Sequence, residues 1–133
     1  MDPASEALTL VGDWLAAYNE GDWARFRRAL APAVVFRFRA EGLTPEGIEP
    51  VMASFTGWRG AFTALEGAIV DGFACGDRAA VELEWAGMSA RTGRPIRFPS
   101  CWLIAVSGGR LVEIDDYYDQ LTYRRQLGEP LAS

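Results

Sequence analysis

The stretch Gly109-Arg-Leu-Val-Glu-Ile-Asp-Asp-Tyr-Tyr-Asp-Gln-Leu121 decides how this chain is read. It alternates like a strand, then gathers three carboxylates and two tyrosines between Asp115 and Asp119. Side chains on a strand point to its two faces in turn. Val112, Ile114, Asp116 and Tyr118 therefore share one face, and Leu111, Glu113, Asp115, Tyr117 and Asp119 share the other. The first set reads apolar, apolar, acid, aromatic. With that set toward the core, Asp116 sits in an apolar wall, where loss of water raises a carboxyl pKa by up to roughly 3–5 units at full burial. Asp116 is thereby singled out as a proton carrier near neutral pH.

The same period of two extends backward from this stretch. It predicts strands near 65–74, 78–89, 96–107 and 110–118, separated by the turn sequences Cys75-Gly-Asp77, Arg91-Thr-Gly-Arg94 and Ser107-Gly-Gly109. Ahead of them, Ala33 to Arg39 alternates Val34, Phe36 and Phe38 against Val35, Arg37 and Arg39, a strand with one wet face. Between and before these lie helical patterns. Asp2 and Pro3 supply an N-cap and a first-turn proline for a helix carrying Leu8, Val11, Leu15 and Tyr18, which Gly21 stops. Asp22 caps a second helix whose stripe is Trp23, Phe26 and Leu30, closed by Pro32. Thr44-Pro45 opens a third, with Ile48, Val51, Met52, Phe55, Trp58 and Phe62 at helical spacing. Asp119 as N-cap and Gly128 as terminal glycine bracket a short C-terminal helix.

This order predicts one α+β domain over 1–133, with three N-terminal helices packed in the concave face of a curved, mostly antiparallel sheet. With half its residues hydrophobic, the chain carries enough apolar surface for a single core. Its 18 acidic and 13 basic residues give a net charge of −5, with no basic stripe for a phosphate backbone, so nucleic acid is not an expected partner. No run approaches the roughly 20 apolar residues of a membrane span, and no leader pattern opens the sequence. A cytoplasmic location is expected. There is no histidine, which removes Ser-His-Asp, Cys-His and His-ligated metal mechanisms in their usual form. Cys75 and Cys101 lack metal-ligand spacing and read as free thiols. No metal or cofactor is expected.

The strand around Cys101-Trp-Leu-Ile-Ala-Val106 is apolar on both faces. One face covers the helices; the other needs a cover, which predicts a homodimer through the outer sheet face, a long buried strand within a monomer being the alternative.

The element order, the stretch from Gly109 to Asp119 and the closing Arg125-Gln-Leu-Gly128-Glu-Pro130 resemble the SnoaL-like polyketide cyclases. These belong to the nuclear-transport-factor-2-like superfamily, with the ketosteroid isomerases and limonene epoxide hydrolases. The resemblance implies a cone-shaped, cystatin-like fold and places the cyclases' acid/base aspartate, in their pattern Gly-Lys-Ile... Arg-Asp-Trp, on Asp116. The epoxide hydrolase pattern Trp-Arg-Asp-Tyr-Phe-Asp puts a catalytic aspartate at the same position. Trp102 stands where the cyclases have an assisting histidine. Leu83 and Trp85 stand where the hydrolases have an arginine and a second aspartate, and Phe36 and Phe38 fall near their water-positioning tyrosine and asparagine. Epoxide hydrolysis thus loses most of its apparatus, whereas cyclisation keeps its proton carrier.

These replacements are apolar and fall on inward faces. The expected pocket is Trp14, Phe36, Phe38, Phe55, Leu83, Trp85, Trp102, Ile104 and Ile114, an aromatic hollow suited to a small hydrophobic molecule. Trp14 and Tyr18 could reach the hollow but at this helical spacing read first as plain core, as do Met52 and Phe55. Tyr118 by parity and Tyr18 by position are the hydroxyls expected to assist Asp116, either by stabilising an enolate oxygen or by anchoring the carboxyl. Asp115 and Glu113, with Glu82 and Glu84, are expected to face solvent or arginines. The function implied is a cofactor-free cyclase or isomerase acting on a hydrophobic carbonyl compound. The alternative is a non-catalytic ligand-binding or dimeric assembly module using the same cavity.

Overall fold

The computed structural model describes residues 3–128. Asp2, expected above to cap the first helix, lies outside the described residues, as do Glu129 and Pro130. The elements run α1 (Pro3–Glu20), α2 (Trp23–Arg28), β1 (Leu30–Phe38), α3 (Ile48–Gly60), β2 (Phe62–Cys75), β3 (Arg78–Ser89), β4 (Pro95–Ser107), β5 (Arg110–Tyr118) and α4 (Gln120–Leu127). The five strands form one sheet in the order β1-β5-β4-β3-β2. Only the β1–β5 pair is parallel. The chain is α+β, and the curved sheet carries α1 against β2 and β3, and α3 against β1 and β2.

Three boundaries differ from the sequence reading. The second helix stops at Arg28, and Leu30 and Pro32 belong to β1, because the Ala29 carbonyl is taken by the Leu111 N–H at 2.8 Å and the chain is drawn along β5. Pro32 is tolerated there because β1 is an edge strand whose register with β5 breaks between Leu30 and Val35. Thr44-Pro45 does not open a helix. Residues 43–46 instead return along β1, with the Phe38 N–H on the Leu43 carbonyl at 2.8 Å and the Phe36 N–H on the Pro45 carbonyl at 3.1 Å. The helix begins at Ile48, after Gly47 turns the chain at φ +90°, a conformation a side chain resists. Phe62, spaced as if on that helix, opens β2, whose first residues pass through a bulge at Ala64 (φ +55°) before regular pairing resumes at Glu66.

Cross-strand rows assign every side chain to a face. Phe38, Asp116, Trp102 and Val81 form one inward row, and Phe36, Ile114, Ile104 and Ala79 the next. Under the helices these rows meet a ring cluster in which Trp14 stacks on Phe26 at 4.6 Å and contacts Phe55 at 5.2 Å and Trp102 at 5.3 Å. Gly67 makes room for Trp85 opposite it: a Cβ there would fall 2.7 Å from the indole. Asn19 fixes that backbone by bonding both the Gly67 N–H and its carbonyl. At the far end, Asp119 accepts from the Leu121 and Thr122 N–H groups and Gly128 ends α4 in the left-handed region, as the sequence predicts. No helix among the described residues is long and apolar enough to cross a membrane.

Candidate functional site

Asp116 is carried inward by the alternation of β5, between Trp102 of β4 and Phe38 of β1. The residue is 9% exposed, and its Oδ1 has no hydrogen-bond partner among the described residues. A buried carboxyl without donors is held near its neutral form by the cost of desolvating the charge. Burial pushes its pKa from 3.8 up to about 7, and the adjacent indole N–H of Trp102 pulls it back by less. That N–H lies beside the carboxyl without closing a hydrogen bond of regular geometry, and it too has no other partner among the described residues.

The carboxyl opens on a cavity of about 300 Å³ lined by Phe38, Glu41, Leu43, Ser54, Phe55, Trp58, Trp85, Phe98, Trp102, Asp116, Tyr118 and Tyr123. Eight of these twelve are aromatic, two are acidic and none is basic. The rings are fixed by one another and by two hydrogen bonds: the Trp85 indole donates to Ser100 Oγ at 2.9 Å, and the Trp58 indole to the Tyr123 hydroxyl at 3.2 Å. At the rim, Glu41 gathers three partners. The Tyr118 hydroxyl donates to Oε1 at 2.5 Å, the Gln120 amide to Oε2 at 3.1 Å, and Arg124 stands 3.8 Å from Oε2. The loop after β1 is thereby tied to the end of β5 and to α4. Burial, with the Glu41 carboxylate beside it, holds the Tyr118 hydroxyl well above its usual pKa.

Of the residues expected at the site, the structure brings Asp116, Tyr118, Phe38, Phe55, Trp85 and Trp102 to this cavity. Trp14, Phe36, Leu83, Ile104 and Ile114 do not line it but are packed solid in the core beneath the helices. Tyr18 lies one ring behind the wall, 5.6 Å from Trp85 and 5.8 Å from Trp58 between ring centres, and burial raises its pKa. Its hydroxyl has no partner among the described residues and does not reach Asp116's cavity. For Phe36, Leu83, Ile104 and Ile114 the physical reason is that parity gives the face of a strand but not depth along it; Trp14 and Tyr18 lie on α1, where helical spacing gives the buried stripe but not what that stripe packs against.

Glu41, Leu43, Ser54, Trp58, Phe98 and Tyr123 line the cavity without having been expected there. Trp58 lies on the predicted stripe of α3, and Phe98 follows from the alternation of β4. Glu41 and Leu43 sit in a loop that carries no periodic signal. Among the described residues no three acidic or thiol side chains converge as a metal-binding set.

The outer face is of another kind. Arg37 pairs with Glu113 at 2.7 Å and Asp115 at 3.2 Å, Arg39 with Asp115 at 2.8 Å, and Arg97 with Glu84 at 2.6 Å. Beside these pairs lies an open groove of about 530 Å³ around Phe73, Glu82, Pro99, Cys101 and Tyr117. Phe73 and Tyr117 there are exposed, as is Leu103 nearby. Cys75 and Cys101 are free.

A curved sheet closed over helices, with one desolvated acid at the wall of an aromatic hollow, defines the class of small cone-shaped α+β domains. Residues 11–114 match the SnoaL-like domain, and the chain belongs to that family. A candidate SnoaL-like polyketide cyclase from Jannaschia sp. CCS1 is similar over 98% of this chain and 97% of its own, at 18% identity and a TM-score of 0.89. IdmH, a candidate polyketide cyclase from Streptomyces antibioticus, covers 92% of this chain and 98% of its own at 22% identity, with a TM-score of 0.83. An LEH-like epoxide hydrolase from M. tuberculosis covers 94% of this chain and 92% of its own at 21% identity, with a TM-score of 0.80. At these identities the three establish a shared fold. No curated protein matches the sequence.

Proposed function

We propose that this chain is a cofactor-free acid/base enzyme of the polyketide cyclase or isomerase type, acting on a hydrophobic carbonyl compound with Asp116 as proton carrier. The observation that carries this reading is a carboxyl with a pKa of about 7 and a bare oxygen at the wall of an aromatic cavity. In its ionised form Asp116 takes a proton from the carbon next to the carbonyl, and the resulting enolate cyclises or is reprotonated elsewhere. A positioned acid/base group typically supplies about 10²–10⁴-fold, which suffices for an activated β-carbonyl. The flat aromatic walls suit a polyketide-like substrate, and the cyclases of the same fold support the assignment. In this reading Tyr118 holds Glu41 at the rim, and Tyr18 backs the wall. Turnover of aromatic polyketide and enone substrates by wild type against Asp116→Asn tests the proposal, and equal rates reject it.

The place of Trp102, where the resemblance implies an assisting histidine, favours a second reading, a binding module that holds the same ligand unchanged. Native mass spectrometry of the purified protein with those substrates decides between the two: retention without conversion supports binding alone. We further propose a homodimer through the outer face, where Phe73, Leu103 and Tyr117 leave an apolar patch. Sedimentation of wild type against Leu103→Arg tests it, and a monomeric wild type rejects it.

A further inference from the structure

We infer that the compound taken by this cavity carries an aliphatic amine, protonated or quaternary, seated among Trp58, Trp85 and Trp102 with its positive charge toward Asp116. The inference rests on the reading of this cavity as the ligand site and adds the chemical class of its occupant, a carbonyl compound bearing a basic nitrogen. Two features of the lining carry it. The first is that eight of the twelve lining side chains are aromatic, and a ring face attracts a cation, an attraction that strengthens when water is excluded. The second is the sign of the ionisable groups. Both are carboxyls, none of the lining residues is basic, and the buried Oδ1 of Asp116 has no donor among the described residues. Glu41 is already met by Tyr118, Gln120 and Arg124 at the rim, so the unpartnered acid is Asp116: an anionic ligand finds no cation in the lining, whereas an ammonium N–H, or the positive edge of a quaternary group, completes its carboxylate.

The charged groups around Asp116 agree. Glu41, Tyr118 and Tyr123 line the same cavity, and Cys101 lies next to Trp102 on the other face of β4. Arg37 and Arg39 of β1 are turned outward to Glu113 and Asp115. Arg124 stands beyond the rim against Glu41. A cation therefore has the interior field to itself.

A cation binds the ionised form of Asp116, so below its pKa of about 7 binding must first expel the carboxyl proton. Affinity therefore rises with pH toward 7 and levels off above it, at a limit of about tenfold per pH unit on the acid side. Titration calorimetry with choline and with 3,3-dimethylbutan-1-ol, which has the same shape without the charge, separates cation recognition from hydrophobic filling. Choline is expected to bind at least about tenfold more tightly than the neutral alcohol at pH 8 and to lose about thirtyfold by pH 5.5, a loss that Asp116→Asn abolishes. Glu41→Gln, which leaves the buried carboxyl in place, is expected to weaken choline alone. Equal or tighter binding of the neutral alcohol, or binding of neither, overturns the inference. Those results leave the proton-carrier reading standing if Asp116→Asn still abolishes turnover. A choline preference in a protein whose turnover ignores Asp116 would retain the ligand class and discard the reaction.

Discussion

Asp115 and Asp116 are the same residue one bond apart, and the sheet puts them in opposite worlds. Asp115 faces outward, its side chain 15% exposed, with Arg37 and Arg39 on its two oxygens. Asp116 faces inward among rings, with a bare oxygen and a pKa driven up to about 7. Neither is freely solvated, so exposure is not what separates them. The difference is the supply of donors: the outer face provides two guanidiniums, and the inner face provides one indole N–H and a cavity. An acid becomes available for chemistry when the fold takes its water away without replacing it.

Turnover should break this symmetry most. Asp116→Asn is expected to lower kcat/KM by about 10²–10⁴ while Asp115→Asn leaves it nearly unchanged, and a comparable loss in both would erase the contrast. Stability should move the other way. A carboxyl whose folded-state pKa is raised favours folding below about pH 4 and loses that contribution as pH rises through about 7. Asp116→Asn should therefore gain roughly 2–4 kcal/mol over wild type at pH 8 and little at pH 4, read from urea unfolding at the two values.

The wall can be pressed instead of the acid. Gly67→Ala drives a methyl into Trp85 and should cost about 1–3 kcal/mol, with a change in Trp fluorescence that reports the displaced indole. On the outer face, Asp115→Asn should cost under about 1 kcal/mol, since its partners are partly exposed and screened, and the cost should shrink further in salt. The smallest effect is the most specific. Trp102→Phe keeps a ring but removes the N–H that lowers the Asp116 pKa, so the midpoint of the pH–rate profile should rise above about 7 by less than about one unit.

The sequence discloses Asp116 because a strand has only two faces and its neighbours name the inner one. It discloses the helix caps at Asp22, Asp119 and Gly128 because those are local bonds. It does not disclose Glu41, whose partners Tyr118 and Gln120 lie 77 and 79 residues away along the chain. Nor does alternation tell Phe38, at the cavity, from Phe36, two residues earlier and buried without exposure. The misplaced start of α3 has the same origin. Thr44-Pro45 carries a helix-opening signal, and backbone bonds to Phe36 and Phe38 hold the segment extended instead.

At the rim of the hollow, charge and hydrogen bonds tie the chain together. One carboxylate, Glu41, joins a loop from the first third of the chain to the last strand and helix. Dissolved ions compete with such a latch far more readily than with the ring cluster below it. Raising ionic strength should therefore quicken the traffic of ligands through the doorway while the chamber behind it keeps its shape.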